Sequence, residues 1–341
     1  MNAPSGRQPP LAAVVVALLV VYVVWGSTYF AIALMIETLP PLLSAGVRYG
    51  TAGLLVLGAL IAHARFRRSA APLERPSAAQ WRSTAIVGVL LLLGGNGGVV
   101  LAELHIPSGM AAVLVATVPI WLAVFDAIVT RRRPSRLALG GLAAGMVGVA
   151  VLLVPLEGLD RVDPLGVALV VGAAVSWALG SMVARHAPMP RSGLLVTGME
   201  MVAGGLALVL VGSLLGEIGR ADLSAASATS VLALVYLVVF GSIVAFTAYT
   251  WLLANVPVTT VGTYAYVNPI VAVGLGAVFL SEPITIRTVV ATVVIVGAVV
   301  AMVSGRPRLA EEAGPDPEAG AMEGETAADL AGTDRAAAPE A

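Results

Sequence analysis

Between Leu11 and Ser304 the chain is a succession of apolar runs, each close to the roughly 20 residues that a helix needs to cross a hydrocarbon layer about 30 Å thick. Such runs have few folding options. With no water to bind its amides and carbonyls, a lone segment satisfies its own backbone only as a helix. Breaks at charged or Pro-containing stretches give ten expected spans: 11–34, 42–62, 84–104, 108–130, 137–154, 164–185, 192–214, 231–253, 259–280 and 286–304. The first exceeds the apolar region of a cleaved leader, about 7 to 15 residues, and is read as a retained span. The connecting loops are short, so any chemistry has to sit among the helices.

Composition adds exclusions and an orientation. Only 11% of the residues are charged, against about 25% in soluble domains. Sixteen Arg face eleven acidic residues up to position 304, whereas the remaining 37 positions hold three Arg and nine acids. That acidic segment, 305–341, is expected to be a disordered cytoplasmic tail, because it lacks large apolar residues to bury. If residues 1–10 are cytoplasmic, fourteen Arg close to the spans fall in cytoplasmic segments, and only Arg161, Arg220 and Arg287 fall in the opposite loops. The positive-inside rule then places both termini in the cytoplasm, as expected for a multi-pass protein of an inner cell membrane. Cys and Lys are both absent, which removes disulfides, thiolate chemistry, P-loop lysines and Schiff bases. His63, His105 and His186 lie at helix ends without metal-ligand spacing and are expected to be solvated. No metal or cofactor is implied.

A repeat organises the spans. Pro107 and Pro119 stand 12 positions apart, and Pro257 and Pro269 repeat that spacing 150 positions later. Trp25 before Gly26 and Ser27 corresponds to Trp177 before Gly180 and Ser181, with two residues inserted. Arg133-Pro134 corresponds to Glu282-Pro283, and Gly148 to Gly297. Five spans per unit is an odd number, so the second unit enters the membrane from the opposite side. The expected fold is all-α and integral to the membrane, with ten transmembrane helices as two inverted five-helix repeats. The repeats are assigned to 11–154 and 164–304, joined by an extracytoplasmic linker at 155–163. Inverted repeats are a hallmark of secondary transporters, whose sites lie near the midplane beside broken helices. Pro119 and Pro269 are the expected breaks.

The motifs Val24-Trp25-Gly26-Ser27-Thr28, Arg48-Tyr49, and the long stretch from Gly94 to Trp121 resemble those of EamA-type transporters of the drug/metabolite transporter superfamily, specifically a subgroup of bacterial metabolite exporters. The resemblance covers about residues 11 to 304. It implies a cavity lined by spans 3, 4, 8 and 9, surrounded by spans 1, 2, 6 and 7, and export of small metabolites or amino acids by alternating access.

Ionisable groups inside a membrane need a partner or a task. Arg48 and Glu103 are at similar depth, and are expected to pair or to line the outer part of the cavity. Glu200, on the inner half, is expected either to pair with Arg185 or Arg191 or to be protonatable; Asp126 is expected to bridge to Arg131, Arg132 or Arg133. Glu282 reads as an interface residue. Asn96, within Gly94-Gly95-Asn96-Gly97-Gly98, faces either a cavity or a tight helix packing. Trp25, Trp121, Tyr264, Tyr266 and Asn268 are the remaining substrate-binding candidates, with Tyr249 and Trp251 adding aromatic faces. The expected partners are a small-molecule substrate and the lipid bilayer, with a homodimer left open and no nucleic acid. A carrier translocase for lipid-linked substrates is the alternative function. A membrane-embedded enzyme would need a polar catalytic set that the spans lack, and a structural or sensory subunit stays open.

Overall fold

The structure, a computed structural model, describes residues 9–66, 74–131, 136–153, 162–256, 261 and 263–304. The expected tail, the linker and Pro257 lie outside those residues, apart from Val162 and Asp163 of the linker. Apart from one short 3-10 turn, the regular structure among the described residues is α- and π-helix. Seven helices are long and apolar enough to cross a membrane: α1 (Leu11–Ile36), α2 (Pro41–Phe66), α3 (Ala78–Ala102), α4 (Ser108–Val129), α6 (Pro164–His186), α7 (Gly193–Leu214) and α8 (Ala228–Leu252). Shorter apolar stretches occupy the other three expected positions, in α5 (Arg136–Leu153), α9 (Tyr264–Phe279) and α10 (Ile286–Ser304).

Local signals start these helices where the sequence changes character. Ser77 and Gln80 form a reciprocal capping box at α3, Asp163 caps α6 ahead of Pro164, and Ser192 and Ser227 cap α7 and α8. α4 parts into Ser108–Val115 and Val118–Thr130, because Pro119 has no amide to donate to the preceding turn. The Thr117 hydroxyl donates to the Leu114 carbonyl at 2.7 Å beside the break. Pro269 sits inside α9 and is buried.

The two halves pack with their partners exchanged. α1 lies against α8 and α9, and α6, its counterpart in the second half, lies against α3 and α4. The repeat reaches backbone detail. Arg131 and Ser281, 150 positions apart, both adopt positive φ (53° and 55°) at the ends of α4 and α9. Both α3 and α8 also widen into a π segment, Val89–Gly97 and Leu237–Val244.

The most extensive helix pair is α2 with α7, seated on glycines. A Cβ at Gly205 would lie 2.5 Å from the Gly50 nitrogen, and one at Gly53 would lie 2.8 Å from the Gly198 carbonyl oxygen. Between helices in lipid, association rests on van der Waals contact, which such close approach maximises. We expect Gly205→Ala to cost about 1–3 kcal/mol through overpacking. Gly58→Ala, where an added Cβ meets nothing within 4 Å, should be neutral or slightly stabilising by helix propensity. Thermal unfolding of the detergent-solubilised variants compares the two, and equal midpoints would contradict the close seating.

Candidate functional site

Two groups of side chains meet where α1, α2, α3, α8 and α9 converge. The first is polar and built around Arg48, which is 3% exposed. Its Nε donates to the Ser242 hydroxyl in the π segment of α8 at 3.0 Å, and its guanidinium carbon lies 4.5 Å from the Tyr49 ring centroid. Glu103 follows the last turn of α3. Both its carboxylate oxygens are buried and make no hydrogen bond. It lies within electrostatic reach of Arg48, Glu282 and Tyr29. The expected ion pair between Arg48 and Glu103 is therefore not formed, because the guanidinium turns across to α8, where the widened helix presents Ser242.

The second group is aromatic. Trp25 contacts Phe246 at 5.2 Å, Tyr249 at 5.0 Å and Tyr264 at 5.1 Å, mostly edge to face, so α1, α8 and α9 share one ring cluster. The residues following Trp25 explain its placement. Gly26 lets α9 approach, since a Cβ there would be 2.6 Å from that of Val271, and Ser27 hydrogen-bonds the Tyr236 hydroxyl at 2.6 Å. Asn268 is buried, and its amide donates to the carbonyls of Tyr264 (3.1 Å) and Tyr22 (3.3 Å) in the orientation that satisfies it. It serves the α1–α9 seam rather than an open face.

Other candidates are placed elsewhere. The Asn96 amide turns onto its own helix, 3.5 Å from the Leu91 carbonyl. Its flanking glycines make room for α6: Gly94 faces Ser176, Gly95 faces Trp177 and Gly98 faces Ala173. Ser176 donates to the Leu90 carbonyl at 2.7 Å, so an acceptor in the π segment is satisfied from the other half. Glu200 takes neither expected partner. Arg185 reaches Asp126 instead, at 3.4 Å, and the Arg191 amide donates to Glu74 at 2.7 Å. Asp126 thus bridges to α6; Arg132 and Arg133 lie outside the described residues. Trp121 makes no ring contact with the aromatic cluster among the described residues, and nothing is described of the Tyr266 side chain. His105, expected to be solvated, pairs with Asp163 at 2.8 Å, and the His186 ring lies 2.9 Å from the Met182 carbonyl.

Carboxylates in the loops turned out to be structural devices. Glu217, after α7, accepts from the Leu42 and Leu43 amides (3.1 and 2.8 Å) at the start of α2. Glu282, after α9, accepts from the Ser108 and Gly109 amides (2.7 and 3.1 Å) at the start of α4, which corrects its reading as an interface residue. Their position after a span was visible in the sequence, but their helix partners were not. Tyr29, Ser242 and Phe246 were also missed, since they carry no signal within apolar runs.

Buried charge and aromatic rings held between two exchanged helical halves define a polytopic helical membrane protein with a polar interior. Two stretches, residues 12–154 and 164–304, match the EamA-like transporter family, and the chain belongs to that family. It is 39% identical over 295 residues to "Uncharacterized inner membrane transporter YedA" of Escherichia coli (strain K12), covering 85% of this chain and 90% of that protein. It is 27% identical over 279 residues to the "Probable amino-acid metabolite efflux pump" of Salmonella typhimurium (strain LT2), covering 78% and 87%. A solved crystal structure shares the fold with a TM-score of 0.57 at 19% identity, covering 85% of this chain and 96% of that one.

A double-mutant cycle of Arg48→Gln and Ser242→Ala should return a coupling of about 1.5–3 kcal/mol in thermal stability, the scale of a hydrogen bond to a charged group. Additivity of the two changes would mean that Arg48 does not depend on α8.

Proposed function

We propose that the chain is a secondary transporter of ten spans in two inverted repeats, 11–154 and 164–304, exporting a small amphipathic metabolite of the amino-acid kind across the inner membrane by alternating access. The observation that carries this reading is the exchange of helix partners between the halves around an interior that holds both charge and aromatic rings. A rigid scaffold has no use for a buried carboxylate without a hydrogen bond, which costs several kcal/mol as an ion. The name of the Salmonella relative supports the substrate class, and that of YedA supports the inner membrane.

Arg48 suits a carboxylate, and the rings around Trp25 suit an apolar or cationic moiety. Together they would hold the two ends of an amphipathic molecule along the pathway. Glu103 is the group we assign to proton coupling. By the positive-inside rule, the face of the bundle that carries Glu217 and Glu282 is extracytoplasmic.

Reconstituted liposomes preloaded with labelled amino acids test the reading. Efflux should accelerate under an inward-directed proton gradient, and Glu103→Gln should abolish that acceleration, with at least a tenfold loss of gradient-driven rate. Trp25→Ala should raise the apparent KM. Efflux indifferent to the gradient would remove the coupling role. No transport or thermal shift with any amino acid, nucleoside or cationic dye would remove the reading altogether.

A further inference from the structure

We infer that Glu282 is a latch, which closes the extracytoplasmic seam between α4 and α9, while the matching position of the first repeat carries an arginine. The inference rests on the alternating-access reading, since a latch matters only if that seam parts.

Both carboxylate oxygens of Glu282 are engaged, one by the Ser108 amide at 2.7 Å and the other by the Gly109 amide at 3.1 Å. These amides open the first turn of α4, where backbone donors lack helical partners and the helix end carries partial positive charge. The carboxylate is aimed by the chain before it. Ser281 takes φ 55°, a left-handed conformation rare for a residue with a Cβ, and the Glu282 amide returns to the Gly276 carbonyl at 3.1 Å. The seat is cut to size, since a Cβ at Gly276 would lie 2.3 Å from Glu282 Oε2.

A similar pair of bonds holds Glu217 to α2, yet the two sites differ in what surrounds them. α2 and α7 are packed along their length on close glycines, so Glu217 fastens a seam that is already fixed. α4 meets α9 through Ser108–Val115, and beyond the break at Ala116 and Thr117 its second segment, Val118–Thr130, packs on α6 and α5. The α4–α9 seam is therefore confined to the end where Glu282 sits. The two hydrogen bonds of Glu282, which together cap α4, hold that end closed.

The repeat gives the matching position of the first half a different chemistry. Ser281 has its counterpart in Arg131, with the same positive φ. The residue before the following Pro is Glu282 in the second half and Arg133 in the first. Arginine has no acceptor and repels a helix N-terminus, so the corresponding position cannot cap a helix. Opening toward the cytoplasm would break no carboxylate cap from that position.

The absence of Cys makes the test direct. Ser108 is 1% exposed and its hydroxyl is unpartnered, so Ser108→Cys places a thiol inside the seam without removing a side-chain hydrogen bond. In membranes whose extracytoplasmic face is accessible, the full-length Ser108→Cys protein should react slowly with a membrane-impermeant maleimide. Adding Glu282→Ala should raise that rate at least tenfold, and Glu282→Gln should raise it less, because one carbonyl acceptor remains. Glu217→Ala in the same background should leave the rate unchanged. Rates within twofold for Ser108→Cys with and without Glu282→Ala would overturn the latch, as would an equal rise with Glu217→Ala, which would signal general loosening. Fast labelling of Ser108→Cys alone would also overturn it. Labelling needs no substrate, so the latch can fail while export stands, and export can fail while the latch stands.

Discussion

Away from water every backbone amide and carbonyl needs a partner inside the protein, and in this molecule the partner repeatedly comes from the other half of the chain. Helix ends and widened turns are where such groups are left over. Ser176 of α6 satisfies the Leu90 carbonyl in the π segment of α3, and Ser230 of α8 donates to the Leu34 carbonyl of α1 at 2.7 Å. Glu217 and Glu282, both from the second half, bind amides at the starts of α2 and α4. Glu74, from the first half, binds an amide just before α7. Local caps and Thr117 serve some of these ends within one half, but others are met only from across the repeat, so the two repeats fold as one body although they share a plan.

This reciprocity also explains which features could be read before the structure. Apolar runs, positive loops and the paired prolines state where helices lie and that the pattern recurs, because membrane crossing and helix breaking depend on local composition. The partner of Arg48 does not. It depends on the π segment of α8, and the run Leu237–Val244 is apolar except for Ser242 and Gly241, so periodicity carries no trace of a widened turn. The pairing expected with Glu103 rested on depth alone, and depth says nothing about azimuth around the helix. Glu282 was misjudged for a related reason: a carboxylate after a span looks like any interfacial charge until the helix start opposite it is known. Asn96 lay between cavity and packing in the sequence, and the structure turns its amide onto its own backbone while its glycine neighbours seat α6.

Charge and aromaticity are segregated along the interior. Arg48, Tyr49 and Glu103 lie toward the face that carries Glu282, whereas Trp25, Phe246, Tyr249 and Tyr264 gather between α1, α8 and α9. α8 contributes to both, with Ser242 in its π segment and Phe246 one turn beyond. A small displacement of that one helix would alter both environments together.

The wide turns in α3 and α8 carry a geometric corollary. A residue absorbed into a helix shifts the phase of everything beyond it by about 100°, one step of the α-helical screw. The glycine face of α3 that receives α6, and the carboxylate of Glu103 past the π segment, thus keep their mutual azimuth only while the surplus residue stays in place. Rewinding either helix to a regular pitch would swing its far end like a turned key, exchanging which side chains look inward without sliding the helix through the bilayer.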